Sequence, residues 1–400
     1  MTRFKLSLIA AMLAGFMPQP VAAEDGVIRV GATLKMVSTQ GQTSGKMLTD
    51  QIDAINKAGG INGKKIEIML LNDECKSDRG VSNALKIINE YKAHVLIGSH
   101  CSAVTLPIVD ITNKAKIPQI SPASSADGIT KRGSAWIFRD TPSERFYRSV
   151  MGEYIGENIG KKVAYLITAD AAAQSFAKNV KDYMLETYKV EPILSVQASE
   201  QDVDYRSFLL KIKASNPDVI TLAGNGTELA KMIVQAGEVG IPTTVPRVTN
   251  AWACASEFPE LAGNLAVGVV HVCPTSAFEQ RPEVQEFVKM ATERYKVPHP
   301  DSDFMLTFDL MNILKTALQN AKLTLTDNSL EADRTAIRDA LASIKNFNGV
   351  AGGAINFCAD PTPQCRDGNR TPMLLEYTKG GTDFAVKVLK KVTYEPDKGL

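Results

Sequence analysis

The chain has 400 residues, 44% of them hydrophobic, and 45 basic residues nearly balance 44 acidic ones, so the formal net charge is +1. This balance creates no field that would attract nucleic acid or an anionic membrane, and the sequence contains no basic patch with interleaved aromatic residues. We therefore expect no nucleic-acid partner. The length predicts two domains or more.

Residues 1–23 are typical of a secretory signal peptide. Two basic residues begin the segment, residues 6–17 are apolar, and small residues precede a cleavage site at Ala23. We expect a mature chain that starts at Glu24 and resides in the periplasm. No cysteine follows the site, so a lipid anchor is not indicated. The alternative is an uncleaved anchor helix, but the apolar segment is short for a bilayer.

Strand-like and helix-like patterns alternate along the next part of the chain. The predicted strands are 27–34, 65–71, 95–98 and 116–120, and the predicted helices are 45–58, 78–91 and 105–115. Strands that alternate with helices at this spacing indicate a parallel, doubly wound α/β sheet.

A second series with the same rhythm begins near residue 139. Its predicted strands are 163–168, 193–196, 219–223 and 265–272, and its predicted helices are 174–188, 205–214 and 227–236. Further helices are expected over 282–295, 303–321 and 334–343, and the tail 352–400 is expected to be rich in β-structure. No Gly/Ser-rich linker separates the series, so we predict two hinged lobes with a ligand cleft between them.

Two serine-bearing turns follow predicted strands of the first series. They are Gly98-Ser99-His100-Cys101-Ser102 and Ile120-Ser121-Pro122-Ala123-Ser124-Ser125. Ligands of parallel α/β sheets bind beyond the carboxyl ends of the strands. Hydroxyl groups and free backbone N–H groups placed there can hold a carboxylate without Arg or Lys. The turns therefore predict capture of a small acid, and they supply no catalytic group.

The six cysteines favour disulfides, because the chain is expected to be exported. They are Cys75, Cys101, Cys254, Cys273, Cys358 and Cys365. Fifteen connectivities are open, and pairing of sequence neighbours gives 75–101, 254–273 and 358–365. A metal site is the weaker alternative, since no C-x-x-C pair occurs and the histidines are scattered. A nucleophilic Cys101 beside His100 is also less favoured, and no metal or other cofactor is expected.

Several segments together resemble the periplasmic solute-binding proteins of ABC transporters, in the branched-chain amino-acid (Leu/Ile/Val-binding) class. They are residues 28–31, 55–65, 72–75, 97–102, 120–123 and 138–139. The resemblance covers nearly all of the mature chain. It implies a monomer of the type I periplasmic-binding-protein fold that delivers solute to an ABC permease in the inner membrane.

The resemblance also implies two α/β lobes joined by three crossing segments. We expect these crossings near Asp140, near Val272–Pro274 and near Gly349–Gly353. The first lobe would contain residues 24–140 plus 274–350. The second lobe would contain residues 141–273 plus 351–400.

The resemblance assigns ligand contacts to the two serine turns. Ser102 would bind the ligand carboxylate through its hydroxyl and backbone N–H, and Ser125 would do the same beside Ser124. Ala123 would offer its carbonyl to an ammonium group. The alternative is that Ser102 and Ser125 only cap the helices that follow them.

Other positions depart from the family pattern. The acid that pairs with the ammonium group falls within Asn250-Ala251-Trp252, where no acid occurs, and the aromatic positions fall at Asn225 or Gly226, near Ala173 and near Gln40. Asp170 and Glu228 are candidate substitutes for the acid, or else they simply begin solvated helices. Trp252 either stacks on an aromatic ligand or packs near Cys254.

Three functions are compatible with these features. The first is the receptor of an importer for a small carboxylate-bearing solute, either a branched-chain or other hydrophobic amino acid or an aromatic acid. The second is a ligand-sensing partner of a membrane receptor. The third, an exported enzyme, is less favoured because the sequence has no G-x-S-x-G, H-E-x-x-H or G-x-x-x-x-G-K-[ST] motif.

Overall fold

The structure, a computed structural model, describes residues 26–199, 201–368 and 371–392. The predicted signal peptide lies outside these residues. The first part of the chain contains β1 Ile28–Leu34, α1 Thr39–Lys57, β2 Ile66–Asn72, α2 Ser77–Asn89, β3 Val95–Gly98, α3 Ser102–Lys114, β4 Gln119–Ser121, α4 Gly128–Lys131 and β5 Ile137–Arg139. All five strands are parallel, in the order β2-β1-β3-β4-β5.

The middle part of the chain builds a second sheet. It contains α5 Tyr147–Asn158, β6 Val163–Ile167, α6 Ala171–Tyr183, β7 Leu194–Gln197, α7 Arg206–Ala214, β8 Val219–Ala223, α8 Gly226–Glu238, β9 Arg247–Thr249, α9 Glu257–Ala262 and β10 Val270–Cys273. Its strand order is β14-β13-β10-β9-β8-β6-β7, with parallel pairing from β10 to β7.

The remaining elements divide between the lobes. They are α10 Pro282–Tyr295, α11 Ser302–Asn320, α12 Leu330–Ala342, β11 Phe347–Asn348, β12 Ala354–Ile355, α13 Pro363–Arg366, β13 Met373–Lys379 and β14 Ala385–Lys391. Strands β13 and β14 extend the second sheet as antiparallel edge strands. The fold is therefore the predicted α/β class with two mainly parallel sheets.

Burial explains why the strands read as continuous apolar runs. Every residue of β1 is buried, as expected for a central parallel strand with helices on both faces. Ile28, Val30 and Leu34 share one core with Leu310 and Leu314 of α11. Helix α11 thus returns from late in the sequence to cover the first sheet.

The chain passes between the lobes after β5, after β10 and after α13. The first two passages follow Arg139 and Cys273, the last residues of β5 and β10. The third falls later than the predicted boundary at residue 350. Phe357 is buried in the first-lobe core, with its ring centroid 5.2 Å from that of Phe138, so residues 351–368 lie with the first lobe.

Two glycines within the expected third crossing, near Gly349–Gly353, form a turn inside the first lobe. Gly352 and Gly353 both have positive φ, and they lie in the turn that joins β11 to β12. These two short strands pair with each other. The segment Gly349–Gly353 is therefore the turn of a local hairpin.

Disulfides join Cys75 to Cys101, Cys254 to Cys273 and Cys358 to Cys365. This is the connectivity that pairing of sequence neighbours gives. Within the described residues no cysteine is free, so Cys101 is not available as a nucleophile. None of the described helices is both long enough and apolar enough to cross a membrane.

Candidate functional site

A cavity lies between the lobes at the carboxyl ends of the first-lobe strands. It contains about 360 Å³ of empty space, part of it open to solvent. Residues of both lobes and of two crossing segments line it: His100, Ser102, Ala123, Ser125, Thr141, Ala251, Trp252, Pro274, Ser302, Asp303 and Leu306. Four of the sequence-predicted contacts, Ser102, Ala123, Ser125 and Trp252, are therefore brought together.

Ser102 is the first residue of α3. The N-cap of this helix is Cys101, whose side chain makes no capping hydrogen bond. Ser102 Oγ instead accepts a hydrogen bond from the backbone N–H of Ala126 at 3.1 Å, which ties the two serine turns together. The N-terminus of α3 thus borders the cavity at Ser102 and has no side-chain cap, and such a helix terminus favours an anion.

Ser125 does not cap a helix either. The N-cap of α4 is Asp127, and Ser125 Oγ donates to Glu144 Oε1 at 2.6 Å. The capping alternative for the two serines is therefore not what the structure shows. Burial raises the pKa of Glu144 to about 8, with smaller contributions from Asp127 and Asp170.

Hydrogen bonds from buried side chains fix the turn that carries Ala123 and Ser125. Arg139, fully buried, donates to the carbonyls of Ser124 and Ala126 at 3.1 and 2.9 Å. Its guanidinium also pairs with Asp367 at 2.6 Å. Ser124 Oγ donates to the carbonyl of Ser99 at 2.8 Å. Ser124 therefore fixes the turn and does not line the cavity.

The second lobe contributes Trp252 as a wall. Its indole Nε1 donates to Asp170 Oδ1 at 3.2 Å, and Lys35 Nζ lies 4.9 Å from the ring centroid. One part of the ring faces the main cavity, and the rest faces an adjoining cavity that contains Lys35, Asn225 and Glu257. Trp252 is thus positioned both to pack and to contact a ligand.

A buried ionic cluster borders the same space. Lys35 Nζ lies 3.1 Å from Asp303 Oδ2 and 3.2 Å from Glu257 Oε1. Burial opposes the charge of Lys35, but Asp303 and Glu257 outweigh it and raise its pKa. Burial likewise opposes the charge of Asp303, and Lys35 outweighs it and lowers its pKa. Since Glu257 belongs to α9, this cluster joins the two lobes.

Two neighbours of this cluster complete the first-lobe side. His100 Nδ1 accepts from the backbone N–H of Lys35 at 3.2 Å, and burial lowers its pKa, so the imidazole is neutral. Asp301 Oδ2 accepts from the backbone N–H of Ser256 at 3.2 Å. Burial raises the pKa of Asp301 to about 7, with contributions from Asp303 and Glu257.

A model of the periplasmic binding protein family matches residues 27–366. The chain belongs to that family. Its sheets and helices place it in the type I class that includes the Leu/Ile/Val-binding proteins. Its relatives are solute-binding proteins and not enzymes, so the exported-enzyme hypothesis is not supported.

Two comparisons illustrate the range of relatives of this periplasmic binding protein. The leucine-, isoleucine-, valine-, threonine- and alanine-binding protein of Pseudomonas aeruginosa is 26% identical over 340 residues, which are 84% of this chain and 87% of the relative. The substrate-binding protein LivJ of Streptococcus pneumoniae, solved with isoleucine, is 25% identical. Its TM-score is 0.77, and the match covers 91% of this chain and 99% of that one.

A third comparison concerns an aromatic acid. A solute-binding protein of an ABC transporter from R. palustris, solved with benzoate, has a TM-score of 0.77 at 22% identity, and the match covers 92% of this chain and 98% of that one. This likeness concerns the fold.

Four other predicted contacts of the binding protein do not line the main cavity. Asn225 caps α8 in a reciprocal pair of hydrogen bonds with Glu228. Asn250 is fully buried, and its Oδ1 accepts from Gly224 N at 3.4 Å. Ala173 is buried in the second-lobe core. Gln40 bonds to the backbone of His299 and Asp301 within the first lobe.

The candidate substitutes for the missing acid are also engaged elsewhere. Asp170 caps α6 by accepting from Ala173 N at 2.9 Å, and burial raises its pKa to about 6. Glu228 accepts from the hydroxyl of Thr168 at 2.8 Å. The acid that does line the cavity is Asp303, in the first turn of α11, and it is already paired with Lys35.

Sequence reasoning missed the contribution of α11 to the site. Ser302, Asp303 and Leu306 come from α11, which was predicted as a helix over 303–321 without any role in the site. The available signal was Asp301, which caps this helix by accepting from Phe304 N at 2.9 Å. A helix start is visible in sequence, but which cavity it faces depends on the long-range packing of α11 on the first sheet.

Proposed function

We propose that this protein is the periplasmic receptor of an ABC importer for a small organic carboxylate, which it binds in the interlobe cavity as a monomer. The observation that carries the proposal is the N-terminus of α3, which has no side-chain cap and borders the cavity at Ser102, beside the turn that carries Ser125. Uncharged donors of this kind hold a carboxylate without a counter-cation.

The cavity favours an aromatic or other uncharged-tail acid over an α-amino acid. An ammonium group would need Asp303, whose charge is already neutralised by Lys35. Breaking such a buried pair costs about 3–5 kcal/mol, which is two decades or more in affinity. The Trp252 ring offers a flat apolar wall instead. The benzoate complex of the R. palustris relative supports this ligand class.

A thermal-shift screen followed by calorimetry tests the ligand class. Benzoate, phenylalanine and leucine form the minimal set, because they separate ring, ammonium and aliphatic contributions. We expect benzoate to stabilise the protein most. Since a ligand at 1,000 times its Kd adds about 4 kcal/mol to stability, tight binding is readily seen. If no carboxylate raises the melting temperature, the proposed ligand class is wrong.

Variants of the two serines test the site. Ser102→Ala and Ser125→Ala each remove one hydroxyl, and we expect each to weaken binding of the best ligand by about 0.5–3 kcal/mol. Ser207→Ala, on an exposed position of α7, is the matched control and should bind as the wild type does. Unchanged affinity in both cavity variants would refute this site.

A further inference from the structure

Glu144 lies directly behind the serine turn of the cavity. It follows the first crossing segment and is fully buried. Ser125 Oγ donates to Glu144 Oε1 at 2.6 Å, and the backbone N–H of Glu144 donates to the carbonyl of Ser125 at 3.0 Å. Within the described residues, Glu144 Oε2 is buried and has no hydrogen-bond partner. An ionised carboxylate would leave half of its charge unsatisfied there.

The protonation state of Glu144 decides what Ser125 can do. A serine hydroxyl has one proton and can accept further hydrogen bonds. If Glu144 is ionised, it can only accept, so the Ser125 proton is used on it. If Glu144 is protonated, it can donate to Ser125 Oγ, and the Ser125 proton is free to point into the cavity. Only the second arrangement offers a donor to a ligand carboxylate.

The surroundings of Glu144 favour the protonated form. Burial is the main cause, and the negative charges of Asp127 before α4 and Asp170 before α6 add to it, so that the pKa rises to about 8. The hydrogen bond from Ser125 opposes this rise most, and Arg139 on β5 opposes it less. Its guanidinium is bound to Asp367, which also pairs with Arg145 at 2.7 Å. Tyr147 is fully buried, and burial raises its pKa, so the phenol stays neutral.

We propose that Glu144 is a protonated positioning residue that turns the Ser125 hydroxyl toward the cavity, so that binding of an organic anion is coupled to a proton on this buried carboxyl group. The inference rests on the proposed function, because Ser125 is one of its carboxylate contacts. It adds a direction: affinity for the anion falls as the pH rises and Glu144 loses its proton. The proton also removes the repulsion that an ionised Glu144 would exert on the ligand carboxylate.

The first test needs no ligand. Infrared difference spectra between the wild type and Glu144→Gln, recorded from pH 6 to pH 9, should contain a protonated-carboxyl C=O band that disappears with a midpoint near 8. If Glu144 already ionises below pH 6, the band is absent from the whole series and the proposal is overturned.

The second test is the pH dependence of benzoate binding by calorimetry, since benzoate remains ionised throughout the range. With a pKa of about 8, roughly one molecule in ten is protonated at pH 9, so the wild-type Kd should rise about tenfold between pH 6.5 and pH 9. Glu144→Gln should bind with a pH-independent Kd, because the amide N–H replaces the proton donor. Ser125→Ala should bind more weakly and also without pH dependence.

A matched control separates this coupling from general charge effects. Glu186 is exposed, and Glu186→Gln should keep the wild-type slope. A flat wild-type profile, or the same slope in Glu144→Gln, overturns the coupling and leaves carboxylate binding intact. Failure of the wild type to bind benzoate or any acid of the screen overturns the proposed function, and with it the coupling, whatever the infrared spectra show.

Discussion

Removal of the Lys35 charge should have the largest effect of any single substitution at the cleft. Lys35 is paired with Asp303 of the first lobe and Glu257 of the second, and its side chain is only 7% exposed. In the variant Lys35→Met the stem length and apolar packing remain, but two largely buried carboxylates lose their shared cation. Loss of one partner of a buried pair typically costs 3–5 kcal/mol, so we expect a loss of about 3 kcal/mol at pH 7.5.

The pH dependence of this loss distinguishes charge from packing. Asp303 and Glu257 raise the pKa of Lys35 above its ordinary value, so the contribution of its charge is complete at all pH values below about 10 and does not vary between pH 5 and 8. In Lys35→Met, however, the orphaned acids can take up a proton. The loss should therefore be smaller at pH 5 than at pH 7.5.

Thermal unfolding at the two pH values is the measurement, with ligand affinity as a second readout. Because Glu257 belongs to the second lobe, the variant should also close less readily and bind its ligand more weakly. Lys46→Met is the control: Lys46 pairs with Asp50 but is 65% exposed, and such a pair contributes about 0.5 kcal/mol or less. If Lys35→Met were as stable as the wild type at pH 7.5, the expected contribution of the cluster to stability would be wrong.

Two further predictions concern the first-lobe core. His94 Nδ1 accepts from the backbone N–H of Arg29 at 2.9 Å, and burial together with Arg29 lowers the pKa of His94 to about 4. Relative to His94→Asn, the wild type should lose about 3 kcal/mol of stability as the pH falls from 6.5 to 4, because the unfolded state takes up the proton more readily than the folded state. If the stabilities of the wild type and His94→Asn changed in parallel with pH, this prediction would be wrong. Phe357→Ala should lower the free energy of unfolding by about 3–5 kcal/mol, because this ring is fully buried against Phe138. Denaturant unfolding measures this loss. A loss under 1 kcal/mol would mean that residues 351–368 do not belong to the first-lobe core.

The regular elements of the two lobes could be predicted because their apolar periodicity is strong. Val95–Gly98, Val219–Ala223 and Pro282–Tyr295 have the same bounds in the sequence prediction and in the structure. The short strands Ile137–Arg139 and Arg247–Thr249 were not predicted. Three residues are too few for a period, and pairing with neighbouring strands, rather than local pattern, defines them.

Most of the predicted residues that line the cavity belong to the two serine turns of the first lobe, and Trp252 is the one predicted from the second lobe. Ser102, Ala123 and Ser125 follow neighbouring strands, so the rule for parallel sheets places them together. Asp303 and Lys35 are separated by more than 260 residues, and their pairing depends on how α11 packs against β1. For the same reason Asn250 could not be placed: its buried side chain accepts from the backbone N–H of Gly224 and does not line the cavity.

The two acids nearest the cavity show how a site without a free cation can still accept an anion. Asp303 is neutralised by Lys35, and Glu144 by its own proton. Both conditions must hold, because an unneutralised carboxylate in this poorly solvated space would repel the ligand. Lys35→Met and alkaline pH should therefore weaken anion binding through separate groups, one on each side of the cavity. Their effects on log Kd should add. If both changes acted through the same group, alkaline pH would weaken binding by Lys35→Met little further.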